Sequence, residues 1–169
     1  ARPRRPYAWF MPDGREEVRV EVVPRIAEVP ADQWDACAGG KNPFVSHAFL
    51  NAMEESRSVS ERTGWAPQHL VVRGTSGQID ACMPLYIKNN SYGEYVFDWG
   101  WADAYERAGG SYYPKLQCAV PFTPATGPRL LVRAGAPDRS FDILIAAAIQ
   151  LAEAHKVSSL HITFPTRGE

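Results

Sequence analysis

Apolar and polar residues alternate early in the chain, with Val18, Val20 and Val22 set against Glu17, Arg19 and Glu21. A period of two predicts a half-buried strand. The stretch "PADQWDACAGG" then predicts a short helix over Ala31 to Cys37, opened by a proline and stopped at Gly39 and Gly40. In "NPFVSHAFLNAMEES", Pro43 blocks earlier helix growth, Ser46 is placed to cap the first turn, and Phe49, Leu50 and Met53 share one face. His47 falls in that first turn, where the helix dipole favours a neutral imidazole packed at the core edge. From Gln68 the period returns to two. "QHLVVRG" and "QIDACMPLYIKNN" flank "GTSG", which predicts a hairpin. Ile79, Ala81, Met83, Leu85 and Ile87 face one way, and Asp80, Cys82, Pro84, Tyr86 and Lys88 the other. Pro84 has no amide to give a ladder, so an edge or a bulge is expected there.

The next segment, "GEYVFDWGWADAYERAGGSYYPKLQ", is the most aromatic of the chain. Asp98 or Asp103 is expected to cap a helix over Ala104 to Ala108, ended by Gly109 and Gly110. "KLQCAVPF" and "PRLLVR" read as buried strands, joined by a loop with three prolines. "DRSFDILIAAAIQLAEAHKV" is the clearest helix, with Phe141, Leu144, Ile145, Ala148, Leu151, Ala152 and His155 at helical spacing. "SSLHITFP" closes the chain as a strand, with Leu160, Ile162 and Phe164 on one face and His161 and Thr163 on the other. This order predicts an α/β (α+β) fold, a mixed sheet with helices on its faces. A chain that closes on such a strand also raises the expectation of further sequence after Glu169.

Composition narrows the function classes. The chain has 169 residues, enough for one domain, and a formal net charge of −1. No global field draws it to DNA or to an anionic membrane. "RPRR" near the start is short and lies beside prolines, so residues 1–15 are expected to be a flexible tail. No apolar run approaches the ~20 residues that span a bilayer. Three widely spaced cysteines, Cys37, Cys82 and Cys118, suit buried thiols in a reducing compartment, hence a cytoplasmic protein. No histidine pairs with Cys, Asp or Glu at ligand spacing, so no metal is expected.

Two segments carry candidate chemistry. Glu94, Asp98, Asp103 and Glu106 lie among Tyr92, Tyr95, Trp99, Trp101, Tyr105, Tyr112 and Tyr113. Carboxylates in aromatic surroundings can act as bases or hold an ammonium group. The same residues also read as a helix cap, a surface acid and core aromatics. In the loop, Pro121, Pro124 and Pro128 lack amides. Phe122, Thr123, Ala125, Thr126, Gly127 and Arg129 keep theirs, and Arg129 has a forked donor for an anion. A rigid loop with Arg129 on the surface is the plainer alternative.

"NPFVSHAFLNAMEESRSV", "GWAPQHLVV", "GEYVFDWGWADAYERAGGSYYPKLQCAVPFTPATGPRLL" and "SSLHITFP" resemble the FemAB-like predicted N-acyltransferases of peptidoglycan biosynthesis or recognition, within the GNAT superfamily. The resemblance runs from about Asn42 to Pro165. It implies a mixed, mostly antiparallel twisted sheet flanked by helices. It also implies two GNAT-like units in tandem, with residues 16–169 forming the first, cut short at its C-terminal end, and a second unit of the same chain as partner. The expected reaction moves an acyl group from acyl-CoA, or an aminoacyl group from tRNA, to a small-molecule or peptide amine. A non-catalytic module recognising a cell-wall peptide or a protein is the alternative. The Q/R-x-x-G-x-G/A loop that holds the CoA diphosphate in GNAT enzymes does not occur; "TPATGPR" resembles the Gly-Pro element of Fem-type enzymes. For this reaction Asp98 or Asp103 would hold or deprotonate the amine, with Tyr105 or Tyr113 as proton donor. Trp101, Lys115, Thr126, Gly127 and Arg129 are the candidate substrate contacts.

Overall fold

Two sheets carry the computed structural model, which describes residues 7–9, 18–95 and 97–169. The elements are β1 (Tyr7–Trp9), β2 (Val18–Val23), α1 (Ala31–Ala38), α2 (His47–Glu55), β3 (Trp65–Pro67), β4 (His69–Arg73), β5 (Ile79–Met83), β6 (Leu85–Lys88), α3 (Trp99–Arg107), β7 (Lys115–Cys118), β8 (Leu131–Val132), α4 (Ser140–His155) and β9 (Leu160–Ile162). The first sheet has the order β1-β2-β4-β5-β8 and the second β3-β6-β7-β9. The ladders are antiparallel except β7 with β9, which run parallel around the α4 crossover. The mixed, mostly antiparallel architecture is the one expected. Tyr7–Trp9, inside the stretch read as a tail, forms an edge strand on β2; the rest of residues 1–15 lies outside the described residues.

The hairpin read from Gln68 onward is longer than expected and belongs to both sheets. Its two strand lines cross from one sheet to the other at Gln68 and Pro84. The Gln68 amide donates to the Leu85 carbonyl at 2.7 Å. Pro84 has no amide, so the ladder breaks beside it. It therefore interrupts an interior line, a correction to the expected edge or bulge, since the bulge of this hairpin falls at Asp80 instead. His69 repairs the break: its Nδ1 accepts from the Leu85 amide at 3.3 Å. The ring proton then sits on Nε2 and is given to Glu54 at 2.8 Å, which ties α2 to the sheet. One bulge corrects the strand pattern further. Val72 pairs with Ala81 but Arg73 with Ile79, leaving Asp80 as the extra residue. Ile79 consequently packs on the α1–α2 side, while Ala81, Met83 and Leu85 pack against α4.

β7 and β8 are two pieces of one line. Cys118 pairs with Leu85 and Leu131 with Cys82, along the continuous β5–β6 strand. The proline-rich loop is thus an excursion out of a single strand line and back into it. Helix α4 buries Ile143, Leu144, Ala147, Ala148 and Leu151 against one face of both sheets. His155, read as part of that face, is exposed. Trp34 of α1 and Leu50 of α2 lie in the cluster that covers the other face of the first sheet. Ser46 caps α2 through Phe49 as expected, and His47 donates its Nε2 proton to the Ile26 carbonyl at 3.0 Å. All three cysteines are free and buried. No described helix is long and apolar enough to cross a membrane.

Candidate functional site

The second sheet has one apolar and one polar face. Ala66, Ile87, Leu116 and Leu160 pair across it in register, with Ile87, Leu116 and Leu160 packed in the α4 cluster. Alternation puts their neighbours on the other side: Trp65, Lys88 and Lys115 in one row, and Tyr86, Gln117 and His161 in the next. Tyr92, Glu94 and Asp98, ahead of α3, meet this polar face through Lys88 and Lys115. Between them and the sheet lies a cleft of about 240 Å³. Glu94, Asp98 and Tyr95 line one side; Gln117, His161 and Thr163 line the other.

Lys115 is 0% exposed and meets both carboxylates. Its Nζ is 2.5 Å from Asp98 Oδ2 and 3.2 Å from each oxygen of Glu94. Only Glu94 Oε2 is aligned for hydrogen bonds, from Lys115 and from the Tyr113 hydroxyl at 3.3 Å; Oε1, buried, receives none. Tyr112 donates to Asp98 Oδ2 at 2.7 Å, and the Asp98 amide donates to Ser91 Oγ at 2.9 Å. Asp98 sits at the N-cap position of α3 but makes no cap bond, because its carboxylate is committed to Lys115 and Tyr112. Lys88 is also fully buried, donates to the Tyr92 carbonyl at 2.8 Å and lies 3.9 Å over the Trp65 ring.

The environment separates these groups electrically. Burial pushes the Glu94 carboxyl up, against the pull of Lys115. At Asp98 burial also pushes up, but hydrogen bonds from Lys115 and Tyr112 win and hold it below the usual carboxylate range. Burial, helped by Lys115, lowers His161, so its imidazole is neutral at pH 7. Burial lowers Lys88 to about 8, with Lys115 adding and Glu94 opposing. Burial followed by the neighbouring carboxylates raises Tyr112 and Tyr113, which stay protonated. Paired groups pushed apart in this way are a physical mark of a functional site.

The candidates from the sequence divide. Asp98, Tyr113 and Lys115 come together at the cleft. Trp101, Asp103 and Tyr105 are exposed on α3 and do not line it, and Asp103 pairs with Arg107 at 2.6 Å instead of capping the helix. Helix α3 starts at Trp99, earlier than expected, which carries Asp103 into its interior. Arg129 corrects the reading of an anion contact. It is fully buried, and its guanidinium donates to the carbonyls of Thr163 (2.9 Å), Gly127 (3.2 Å), Pro128 (3.1 Å) and Ala125 (2.7 Å). The loop amides are committed too: Phe122 to Gly93, Thr123 to Val120, Ala125 to Thr123, Gly127 to Phe164 and Arg129 to Glu169. Of the six expected donors only the Thr126 amide, on an exposed residue, has no such bond. Gly127 leaves room for the Asn42 side-chain amide, which a Cβ there would push aside.

Gln117, His161 and Thr163 were missed as site residues. Their signal was matched parity, polar residues two apart in two separate strands. It becomes readable only once β7 and β9 are known to pair, with Gln117 beside His161.

A family profile described as peptidoglycan biosynthesis/recognition matches residues 25–169. The chain belongs to the FemAB-like family. No curated protein sequence matches this FemAB-like chain. Its fold is similar to the crystal structure of a ribosomal-protein-alanine N-acetyltransferase from Brucella melitensis biovar Abortus 2308, with a TM-score of 0.50 and 12% identity over 89% of this chain and 81% of that one. At that identity the likeness establishes a GNAT fold. Family and fold together support an acyltransferase-type function.

Proposed function

We propose that this FemAB-like unit transfers an acyl group from an activated ester or thioester to an amine seated in the cleft. The observation that carries the reading is the meeting of Glu94, Asp98 and Lys115 on one wall with neutral His161 on the other. An amine arrives protonated. Both bonds to Asp98 fall on Oδ2, so Oδ1 is the oxygen that meets the ammonium. His161 removes one proton, and the free lone pair attacks the acyl carbon. Thr163 Oγ accepts from Gln117 Nε2 at 3.1 Å and keeps its own proton to donate to the oxyanion. As the intermediate collapses, the C–S or C–O bond breaks, the imidazolium returns its proton to the leaving group, and the second nitrogen proton passes to water, leaving a neutral amide. Lys115, Tyr112 and Tyr113 position the carboxylates.

Acyl-CoA and aminoacyl-tRNA both remain donors under this proposal. The α4 N-terminus does not fit a CoA diphosphate well: Asp138 and Asp142 flank it, and the Ser140 amide is committed to Pro137. A second GNAT-like unit is therefore the proposed source of donor contacts. That poor fit also favours a second reading, a module that binds a cell-wall peptide without chemistry. Calorimetry with acetyl-CoA and with a muropeptide, followed by assay of amide formation, separates the two. Amide product that disappears in His161→Asn supports transfer. Muropeptide binding with no product under any donor supports the module and rejects transfer.

A further inference from the structure

Tyr95 belongs to two features. It lines the cleft, and it begins a run of ring contacts leading away from it. Tyr95 lies 5.5 Å from Phe97, and Phe97 lies 5.1 Å from Trp99 with their planes 22° apart. These rings are 44%, 47% and 66% exposed. Large rings left in water at the mouth of a cleft mark a binding surface.

The surrounding charge restricts the ligand. Glu94 and Asp98 stand at the inner end of the strip, and Asp103 and Glu106 lie on α3 beyond it. Arg107, the single cation of α3, is paired with Asp103 at 2.6 Å. Lys115 and Lys88 offset part of this charge but are fully buried, so a phosphate, a nucleic acid or an anionic lipid headgroup would find carboxylates at the surface and no free cation among the described residues there to bind it. A dry protein interface would have to bury these carboxylates, which interface cores exclude. A hexose ring suits both parts of the surface. Its C–H face lies on the electron-rich face of an aromatic ring, and its hydroxyls donate to carboxylates.

We propose that Tyr95, Phe97 and Trp99 form a carbohydrate subsite that stacks a neutral hexose-type ring of the same molecule whose amine enters the cleft. The subsite deepens the acceptor reading and rests on it in one respect, that sugar and amine share a molecule.

Titration of the full chain with tetra-N-acetylchitotetraose, followed by tryptophan fluorescence and calorimetry, tests the subsite without any turnover. Saturable binding is expected, weakened roughly tenfold in Trp99→Ala, the scale of one lost ring contact, with circular dichroism unchanged. No saturable binding, or equal binding by folded Trp99→Ala, overturns the subsite. So does tighter binding of a heparin tetrasaccharide, or acrylamide quenching before sugar is added that is the same in the native chain and in Trp99→Ala, which would show Trp99 already covered by a protein contact. The shared molecule is tested by kinetics. Trp99→Ala should raise KM for a glycosylated amine several-fold at constant kcat and leave a small free amine unaffected; equal effects on both overturn it. Should no acyl transfer occur at all, the titration still decides the subsite, so the two readings fail separately.

Discussion

Arg129 and Lys115 are both cations with no exposed surface, and they do opposite things. Arg129 donates only to main-chain carbonyls, on its own loop and on the segment after β9. It clips the excursion between β7 and β8 to the end of the chain, where Glu169 takes the Arg129 and Leu130 amides at 2.7 Å each. Lys115 faces two carboxylates that border a cleft, one of which keeps an oxygen without an aligned donor. A buried charge is therefore no evidence of function by itself. The difference lies in the partners: carbonyls that need donors make a structural clip, whereas titratable acids beside open space make a site.

The largest effect expected is at the clip. Arg129→Met removes a guanidinium shared by four carbonyls and leaves them in the interior, which should cost on the order of 3–5 kcal/mol. Urea denaturation measures it. A stable variant that instead loses ligand affinity would reverse the contrast between the two cations. At the site, His161→Asn and Asp98→Asn should each lower turnover by about 10²–10⁴-fold; the urea midpoint should move little in His161→Asn and fall in Asp98→Asn, which takes a partner charge from buried Lys115. Loss of folding in both, with no selective loss of rate, would make the cluster structural as well.

A subtler effect is the pH dependence. His161 works as a base only when neutral, and its pKa lies below the usual value of 6.5. Activity should therefore hold as pH falls through 6.5 and decline only at lower pH. An acid limb centred above 6.5 would contradict this assignment. The smallest effect concerns Lys88. In the folded protein it loses its proton near pH 8, in the unfolded chain near its ordinary 10.5. Between these values the unfolded state binds more protons, so stability rises with pH from about 8 to 10.5, and the burden of the buried charge is fully present below 8. Lys88→Met should flatten that rise in midpoint; an unchanged slope would mean that Lys88 is not perturbed.

Local pattern was enough for α1, α2, α4 and the β4–β5 hairpin, because each has its own period and its own cap or stop signal. Ser46 before α2 and Gly39 after α1 act through neighbouring amides and need no distant partner. The acid and aromatic segment was also legible as a candidate site, and Asp98 was among the residues chosen. Which of its acids reaches the cleft was not. Asp98 and Asp103 differ in the sequence only by position, and they part company because α3 turns one toward Lys115 and the other toward solvent. His161 and Thr163 needed the parallel pairing of β7 with β9, a contact between residues more than forty positions apart. Short-range periodicity thus predicted most of the elements, and the FemAB-like resemblance was carried by the residues of the quoted segments themselves. Tertiary structure decided which polar side chains share a cleft and which guanidinium is sealed beneath a loop, because burial and pairing depend on neighbours that the linear order does not place together.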